Sequence, residues 1–216
     1  MTNSNLNSRL NQAKQAFIAS TPAEVHEEMF RTIRELQQSG LASGQPVGSK
    51  VKDFSLKNVL GQNISLYEEL AKGPVVLTFY RGAWCPYCNL QLRTYEEMLP
   101  EIHALGGQLL AISAQTPDHS LSQVEKEQLS FQVLSDTNGL LAARFNLLYD
   151  VPDSLRELYL SFGIDLAEYN ATDRWMLPVP ATFMIDESAV IRSAYVNPDF
   201  MQRLEPEDIL RELRQL

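Results

Sequence analysis

Two stretches near the start of the chain carry apolar residues at helical spacing. Leu10, Ala13, Phe17 and Ile18 share one face, and Val25, Met29, Phe30, Ile33 and Leu36 share another. The second helix has a start signal. Thr21 is placed to cap it, Pro22 suits its first position, and Glu24 completes a capping box. Gly40 and the run Gly44-Gln45-Pro46 end it. A boundary is therefore expected between an N-terminal helical extension, residues 1–45, and a main domain, residues 46–216. Beyond it, strand and helix patterns alternate. Residues 51–56 and 63–65 read as short strands about Gly61. Residues 74–80 (PVVLTFY) form a continuous apolar run, the pattern of a strand covered on both faces. Residues 86–104 read as a helix kinked at Pro100, which lacks a backbone donor. Next come a strand over 108–113, a helix over 120–128, a short strand at Val133 and Leu134, and helices over 140–145 and 153–162. Residues 182–186 and 190–196 pair as a hairpin about Glu187-Ser188, and 206–216 closes the chain as a helix. The order predicts an α/β chain with a mixed sheet flanked by helices.

The chain has 216 residues, which suits one domain with an extension at roughly 100–200 residues per domain. Hydrophobic residues at 44% supply a core and exclude wholesale disorder. A net charge of −9, with no Lys/Arg run, argues against nucleic acid and anionic membrane surfaces as partners. No apolar run approaches the ~18 residues needed to span a bilayer. The first fifteen residues have neither an apolar core nor a small-residue cleavage site, so they do not read as a signal peptide. A soluble, cytoplasmic protein is expected. Its cysteines are two, Cys85 and Cys88, which excludes a disulfide scaffold. In a reducing compartment a close pair is catalytic, redox-sensing or metal-binding.

The pair lies in Arg81-Gly82-Ala83-Trp84-Cys85-Pro86-Tyr87-Cys88, between a buried strand and a helix. Pro86 suits the first helical position and makes Cys85 the cap. The free N–H groups of Tyr87 and Cys88 are then placed to point at the Cys85 sulfur and favour its thiolate. This spacing is within disulfide range, with Cα atoms roughly 4.4–6.8 Å apart. Arg81, folded back, would add positive charge. The competing readings are a metal site, a subunit-bridging iron–sulfur cluster and two inert core thiols. Two cysteines cannot fill a tetrahedral zinc site, and His26, His103 and His119 lack ligand spacing.

Trp84-Cys85 followed by Cys88 resembles the thioredoxin active site, and Cys-Pro-Tyr-Cys is the common glutaredoxin motif. Val179-Pro180-Ala181-Thr182 resembles the cis-proline segment of thioredoxin-like folds, which implies a cis bond after Val179 and Pro180 against the cysteines. Residues 47–214 resemble the alkyl hydroperoxide reductase/thiol-specific antioxidant family, the peroxiredoxins. The resemblance rests on 47–56 (VGSKVKDFSL), 74–80, Ala111-Ile112-Ser113 and 131–136 (FQVLSD). It is nearest to peroxiredoxin-like proteins with a Cys-x-x-Cys site and an N-terminal extension. The implied fold is thioredoxin-like, of peroxiredoxin type. The implied activity is hydroperoxide reduction through a Cys85/Cys88 dithiol–disulfide cycle, with an external thiol donor: thioredoxin, glutaredoxin or glutathione. The departures are specific. The family's active-site Pro falls on Arg81, its Thr on Cys85, its attacking Cys on Cys88 and its downstream Arg on Pro180. Thioredoxin logic makes Cys85 the nucleophile and peroxiredoxin alignment makes it Cys88; the capping argument favours Cys85. The residues also fit protein disulfide exchange without peroxidase activity, or a redox sensor that does not turn over.

Trp84 and Tyr87 are placed to flank the cysteines as an apolar platform. Gln115 and Thr116 are candidates for positions beside the site, His119 for a proton shuttle, and Asp53 or Glu96 for a buried proton acceptor. Trp175, Leu177 and Pro178 are expected to cover the Pro180 loop. Residues 146–175 exceed a minimal thioredoxin fold and are candidates for shaping specificity or a homodimer. The apolar stripe of the extension packs either on its own domain or on a second subunit. Nothing in the chain requires a nucleotide, flavin or metal cofactor.

Overall fold

The structure, a computed structural model, describes residues 5–216. The first four residues of the expected extension, and of the stretch read for a signal peptide, lie outside that range. Two helices open the chain, α1 (Leu6–Ser20) and α2 (Ala23–Ser39). Then come β1 (Ser55–Asn58), β2 (Asn63–Ser65), α3 (Leu66–Leu70), β3 (Val75–Phe79), α4 (Pro86–Glu97), α5 (Leu99–Ala104), β4 (Gln108–Ser113), α6 (Pro117–Glu127), β5 (Gln132–Ser135) and α7 (Leu140–Arg144). The chain ends with β6 (Leu148–Asp150), α8 (Asp153–Ser161), α9 (Leu166–Asn170), β7 (Met176–Pro178), β8 (Ala181–Ile185), β9 (Ile191–Val196) and α10 (Pro206–Leu213).

The expected mixed sheet is present, in the order β2-β1-β5-β4-β3-β8-β9. β3 lies between parallel β4 and antiparallel β8, and all five of its residues are buried. That is why its sequence is apolar without alternation. Helices cover both faces. One core packs Leu92, Tyr95 and Ile102 beneath α4 and α5, and the other packs Phe79, Phe145 and Phe183 on the far side. β8 and β9 form the expected hairpin. A second small sheet pairs β6 with β7, and Tyr159 of the following helix α8 packs on Trp84, just before α4.

Several local expectations are corrected. Thr21 does not cap α2: its hydroxyl donates to the Phe17 carbonyl at 2.7 Å and closes α1, while Pro22 precedes α2 without a side-chain cap. The 86–104 segment is two helices broken at Met98, because Pro100 sits in the first turn of α5 and cannot donate back into α4. The first strand starts at Ser55, since residues 51–54 are held by isolated contacts such as Val51 N–H to the Ala189 carbonyl. The short elements α3, β6, α9 and β7, each three to five residues, are too short to carry a readable period.

The apolar stripe of the extension packs on its own chain. Leu6 and Leu10 are buried against α4, and Arg9 donates to Thr94 Oγ1 at 2.9 Å. The Glu205 carboxylate accepts from the Leu6 and Asn7 N–H groups at 2.8 and 2.9 Å, supplying from 198 residues away an anion at the amino end of α1. No described helix is long and apolar enough to cross a membrane.

Candidate active site

β3 ends at Phe79 and the chain turns through Tyr80–Trp84 into α4, with Cys85 at the cap position and Pro86 in the first turn. The turn requires glycine at 82. Its φ is +147°, and a Cβ there would lie 2.5 Å from Trp84 Nε1. The Ala83 peptide is held on both sides. Its N–H donates to Gln115 Oε1 at 2.8 Å, and its carbonyl accepts from Asn89 Nδ2 at 2.7 Å. Gln115 and Asn89 are joined through Gln123, which also accepts from the Tyr80 hydroxyl. This buried network fixes the loop that presents the first cysteine. Gln115 is therefore beside the site, as expected. Thr116 instead precedes α6, and His119 lies against the Tyr169 ring, 4.6 Å between centroids.

Cys85 and Cys88 are both free thiols and both buried, at 1% and 0% exposure. The expected cap bond to the Cys85 sulfur is not made. The Cys88 and Asn89 N–H groups donate instead to the Cys85 carbonyl, each at 3.1 Å. Positive charge comes from two guanidiniums. Arg81 Nη1 lies 3.8 Å from Cys85 Sγ, and Arg203 Nη2 lies 3.5 Å from Cys88 Sγ. Both arginines are buried, and among the described residues neither pairs with a carboxylate.

Each guanidinium is supported by other means. Arg81 is enclosed by the faces of Phe200 (3.9 Å), Trp84 (4.7 Å) and Tyr159 (5.5 Å), and it donates to the Tyr159 hydroxyl. Arg203 donates through Nε to Gln91 Oε1 at 2.7 Å and through Nη1 to the Phe200 and Gln202 carbonyls. Gln91 is anchored to the sheet through Thr78 Oγ1. Asn7 of α1 clasps the Arg203 backbone from both sides, at 3.0 and 2.7 Å.

Burial opposes ionisation of Cys88, but the Cys85 thiol, Arg203 and Arg81 together hold it well below the ordinary thiol range. Burial and the neighbouring Cys88 push Cys85 well above it, and the two arginines offset this only in part. The pair thus shares one proton, with the negative charge resting mainly on Cys88. Burial also pushes the Tyr87 phenol up, to about 12, so it stays a neutral hydroxyl.

A cavity of about 320 Å³ opens above Cys85. Cys85, Arg81, Trp84 and Tyr87 line it; Cys88 does not. Its remaining walls come from α1, α2, the α8 region and Phe200-Met201. Within the described residues, Arg81 Nε, Trp84 Nε1 and the Tyr87 hydroxyl have no hydrogen-bond partner.

Pro180 adjoins Ala181, which pairs with Phe79 at the end of β3 that leads into the cysteine loop. No described peptide bond is cis, so Val179–Pro180 is trans. Pro180 sits in an extended junction between β7 and β8. The Val179 N–H donates to Leu147, and the Pro180 carbonyl accepts from Asn197. The guanidiniums beside the two sulfurs belong to Arg81 and Arg203. Asp53 caps the α3 turn through Ser65 and Tyr67, and Glu96 binds Ser130; neither serves the thiols. Trp175 is buried with Leu155, Tyr159 and Leu177. Arg203 and Gln91 were absent from the sequence reading. Arg203 is 115 residues from Cys88, and no spacing connects them. The one available signal was the family arginine displaced by Pro180, which calls for another cation downstream.

The AhpC/TSA family model matches residues 47–194. A peroxiredoxin-named protein of Mycobacterium tuberculosis is 29% identical over 100 residues, covering 46% of this chain and 65% of that protein, just under two thirds of its length. The thioredoxin-like protein YneN of Bacillus subtilis is 27% identical over 158 residues, covering 73% of this chain and 76% of that protein. Among solved structures, peroxidoxin BcpB from Mycobacterium tuberculosis superposes with a TM-score of 0.62 at 22% identity. That match covers 79% of this chain and 97% of that one. With the sheet order, the strand–Cys-x-x-Cys–helix junction and a family match across most of the main domain, this chain belongs to the AhpC/TSA family and has its peroxiredoxin-type thioredoxin-like fold.

Proposed function

We propose that the chain is a thiol-dependent hydroperoxide reductase, with Cys85 as the attacking thiol and Cys88 as the resolving thiol. One observation carries this reading: a dithiol held between two buried guanidiniums without carboxylate partners among the described residues, with one sulfur lining an apolar cavity. Family membership supports it. The choice of Cys85 rests on access, since Cys85 lines the cavity and Cys88 does not. The Cys85 sulfur accepts no amide cap bond, so capping plays no part in this choice.

The shared proton lets either sulfur carry the charge. With the proton on Cys88, the Cys85 thiolate attacks the terminal oxygen of ROOH. The S–O bond forms, the O–O bond breaks, and RO⁻ leaves with the bonding pair. RO⁻ takes the Cys88 proton and departs as ROH. The Cys88 thiolate then attacks the Cys85 sulfenic sulfur and expels hydroxide, which gains a solvent proton. The products are the Cys85–Cys88 disulfide, ROH and water. Arg81 and Arg203 supply the positive field that the family's Thr and Arg hydrogen bonds provide elsewhere, and Arg81 Nε is free to donate to the departing oxygen. Two external thiols, from glutathione or a thioredoxin- or glutaredoxin-type donor, restore the dithiol and are oxidised to a disulfide. A reducing cytoplasm is the compartment that supplies them.

Burial of Cys85 favours a small oxidant over a protein disulfide, which would need the cavity walls to part. The test is stopped-flow mixing of reduced protein with hydrogen peroxide or cumene hydroperoxide, following thiol loss. Expected are loss far faster than for a free thiol and a sulfenic acid trapped on Cys85 in Cys88→Ser. Loss no faster than a free thiol would sink the peroxidase reading. Oxidation without turnover under excess thiol would leave a sensor.

A further inference from the structure

The AhpC/TSA match begins at residue 47, yet residues before it wall the cavity above Cys85. Phe17 of α1 and Met29 and Phe30 of α2 line it opposite the cysteine loop. The hairpin is fixed over the site. Leu6 and Leu10 enter the core, Asn7 clasps Arg203, and Arg31 of α2 donates to Ser154 of α8 at 3.1 Å. Tyr159 and Ile164 complete the wall beside it. Apart from Thr21, whose hydroxyl is spent on the Phe17 carbonyl, the lining is aromatic and aliphatic except at the thiol end, where Arg81, Trp84 and Tyr87 hold the unpartnered polar atoms. The volume, about 320 Å³, is some tenfold the ~30 Å³ that one water occupies. Hydrogen peroxide would leave most of it empty.

We propose that the α1–α2 hairpin is the specificity element of this site: Phe17, Met29 and Phe30 form a roof that selects hydroperoxides with a bulky apolar substituent, ring-bearing or branched, over hydrogen peroxide. This rests on the peroxidase reading above. The substrate's O–OH end meets Cys85 and Arg81 at the polar floor, and its substituent fills the roofed space. Chemistry is unchanged: ROOH and the dithiol give ROH, water and the disulfide. Each methylene buried under the roof is worth roughly fourfold in binding.

Deleting the hairpin is not a clean test, because Leu6 and Leu10 belong to the core. Point variants are. Steady-state peroxidase assays with dithiothreitol as reductant compare cumene hydroperoxide, tert-butyl hydroperoxide and hydrogen peroxide. The wild type should show the highest kcat/KM for cumene hydroperoxide. In Phe30→Ala the ratio of cumene hydroperoxide to hydrogen peroxide kcat/KM should fall at least tenfold, with the loss in KM rather than kcat. Phe17→Ala, at a half-exposed helix position, should move the ratio the same way and covers the case in which Phe30→Ala melts. A ratio unchanged in both variants, or a wild type that prefers hydrogen peroxide, overturns the roof while leaving the peroxidase reading standing. No consumption of any hydroperoxide by the wild type overturns both.

Discussion

Replacing Arg203 by methionine isolates the electrostatic argument. Its Nη2 lies 3.5 Å from Cys88 Sγ and the residue is 3% exposed, so solvent screens the pair little. At an effective dielectric of 20, unit charges at that distance interact by roughly 5 kcal/mol. That is an upper bound, because the guanidinium charge is spread over three nitrogens and a water can enter the vacated space. An opposite charge at such range commonly shifts a pKa by about 1–3 units, at about 1.4 kcal/mol per unit. Removal of Arg203 should therefore raise the apparent thiolate pKa by about 2 units, moving it from well below neutrality toward it. The assay is thiolate absorbance near 240 nm against pH on reduced protein, with the double variant Cys85→Ser/Cys88→Ser as the blank.

Arg203→Met also strands Gln91 Oε1 and the Phe200 and Gln202 carbonyls, each costing about 1–3 kcal/mol if it stays dry. The titration is therefore read only where a thermal melt shows a folded protein. Arg203→Lys keeps the charge but not the fork, so it should lose stability while shifting the pKa less. If Arg203→Met leaves the titration within 0.3 unit, or Arg203→Lys shifts it equally, the charge pairing is wrong and Arg203 is a packing residue.

Three further predictions use the same site. In single-cysteine variants, Cys85 of Cys88→Ser should react with iodoacetamide at least tenfold faster than Cys88 of Cys85→Ser, because only Cys85 lines the cavity; the opposite order would reverse the nucleophile. Because Cys88 is depressed in the fold, the unfolded chain binds its proton more readily as pH falls; reduced wild type should gain up to about 1.4 kcal/mol of stability per pH unit from Cys88's lowered value up to about 8.5. Above that, the raised Cys85 reverses the trend, and a flat profile between pH 6 and 8 in urea melts would count against the thiolate. Gly82→Ala should cost about 1–3 kcal/mol in urea unfolding and slow peroxide turnover, since its Cβ would meet Trp84 Nε1 at 2.5 Å at a φ of +147°; wild-type stability would refute the tight turn.

The sequence is most legible where physics is local. The apolar run through β3, the proline after Cys85 and the hairpin of β8 and β9 each follow from neighbouring residues. Reading Thr21 as a cap failed because a hydroxyl at a helix junction can serve either helix, and this one turns back to Phe17. Arg203 and Gln91 were hidden for a different reason. Their roles come from α4 and the segment after β9 converging on one sulfur, a tertiary fact without sequence period. The helices Leu6–Ser20 and Ala23–Ser39 are legible from their apolar spacing, but the cavity they wall is not, because Phe17, Met29 and Phe30 look like any apolar stripe until the space beneath them is seen.

The departures from the family pattern form one consistent set of exchanges. Where the family has proline, Arg81 brings a charge to the thiol, and three aromatic rings stand in for a carboxylate around it. Where the family has threonine, Cys85 supplies a second sulfur that shares one proton with Cys88. Where its arginine would be, Pro180 donates nothing, and Arg203 reaches Cys88 from another segment. Two cations facing one thiolate leave the reduced site with one excess positive charge. Carboxylate partners would cancel that charge and raise the thiol pKa, so their absence keeps both the thiolate and the field that draws charge onto a departing oxygen. On oxidation the thiolate disappears, and both guanidiniums lose their one anionic neighbour. The reduced form is the state these charges favour, so a Cys85–Cys88 disulfide would be biased toward reduction.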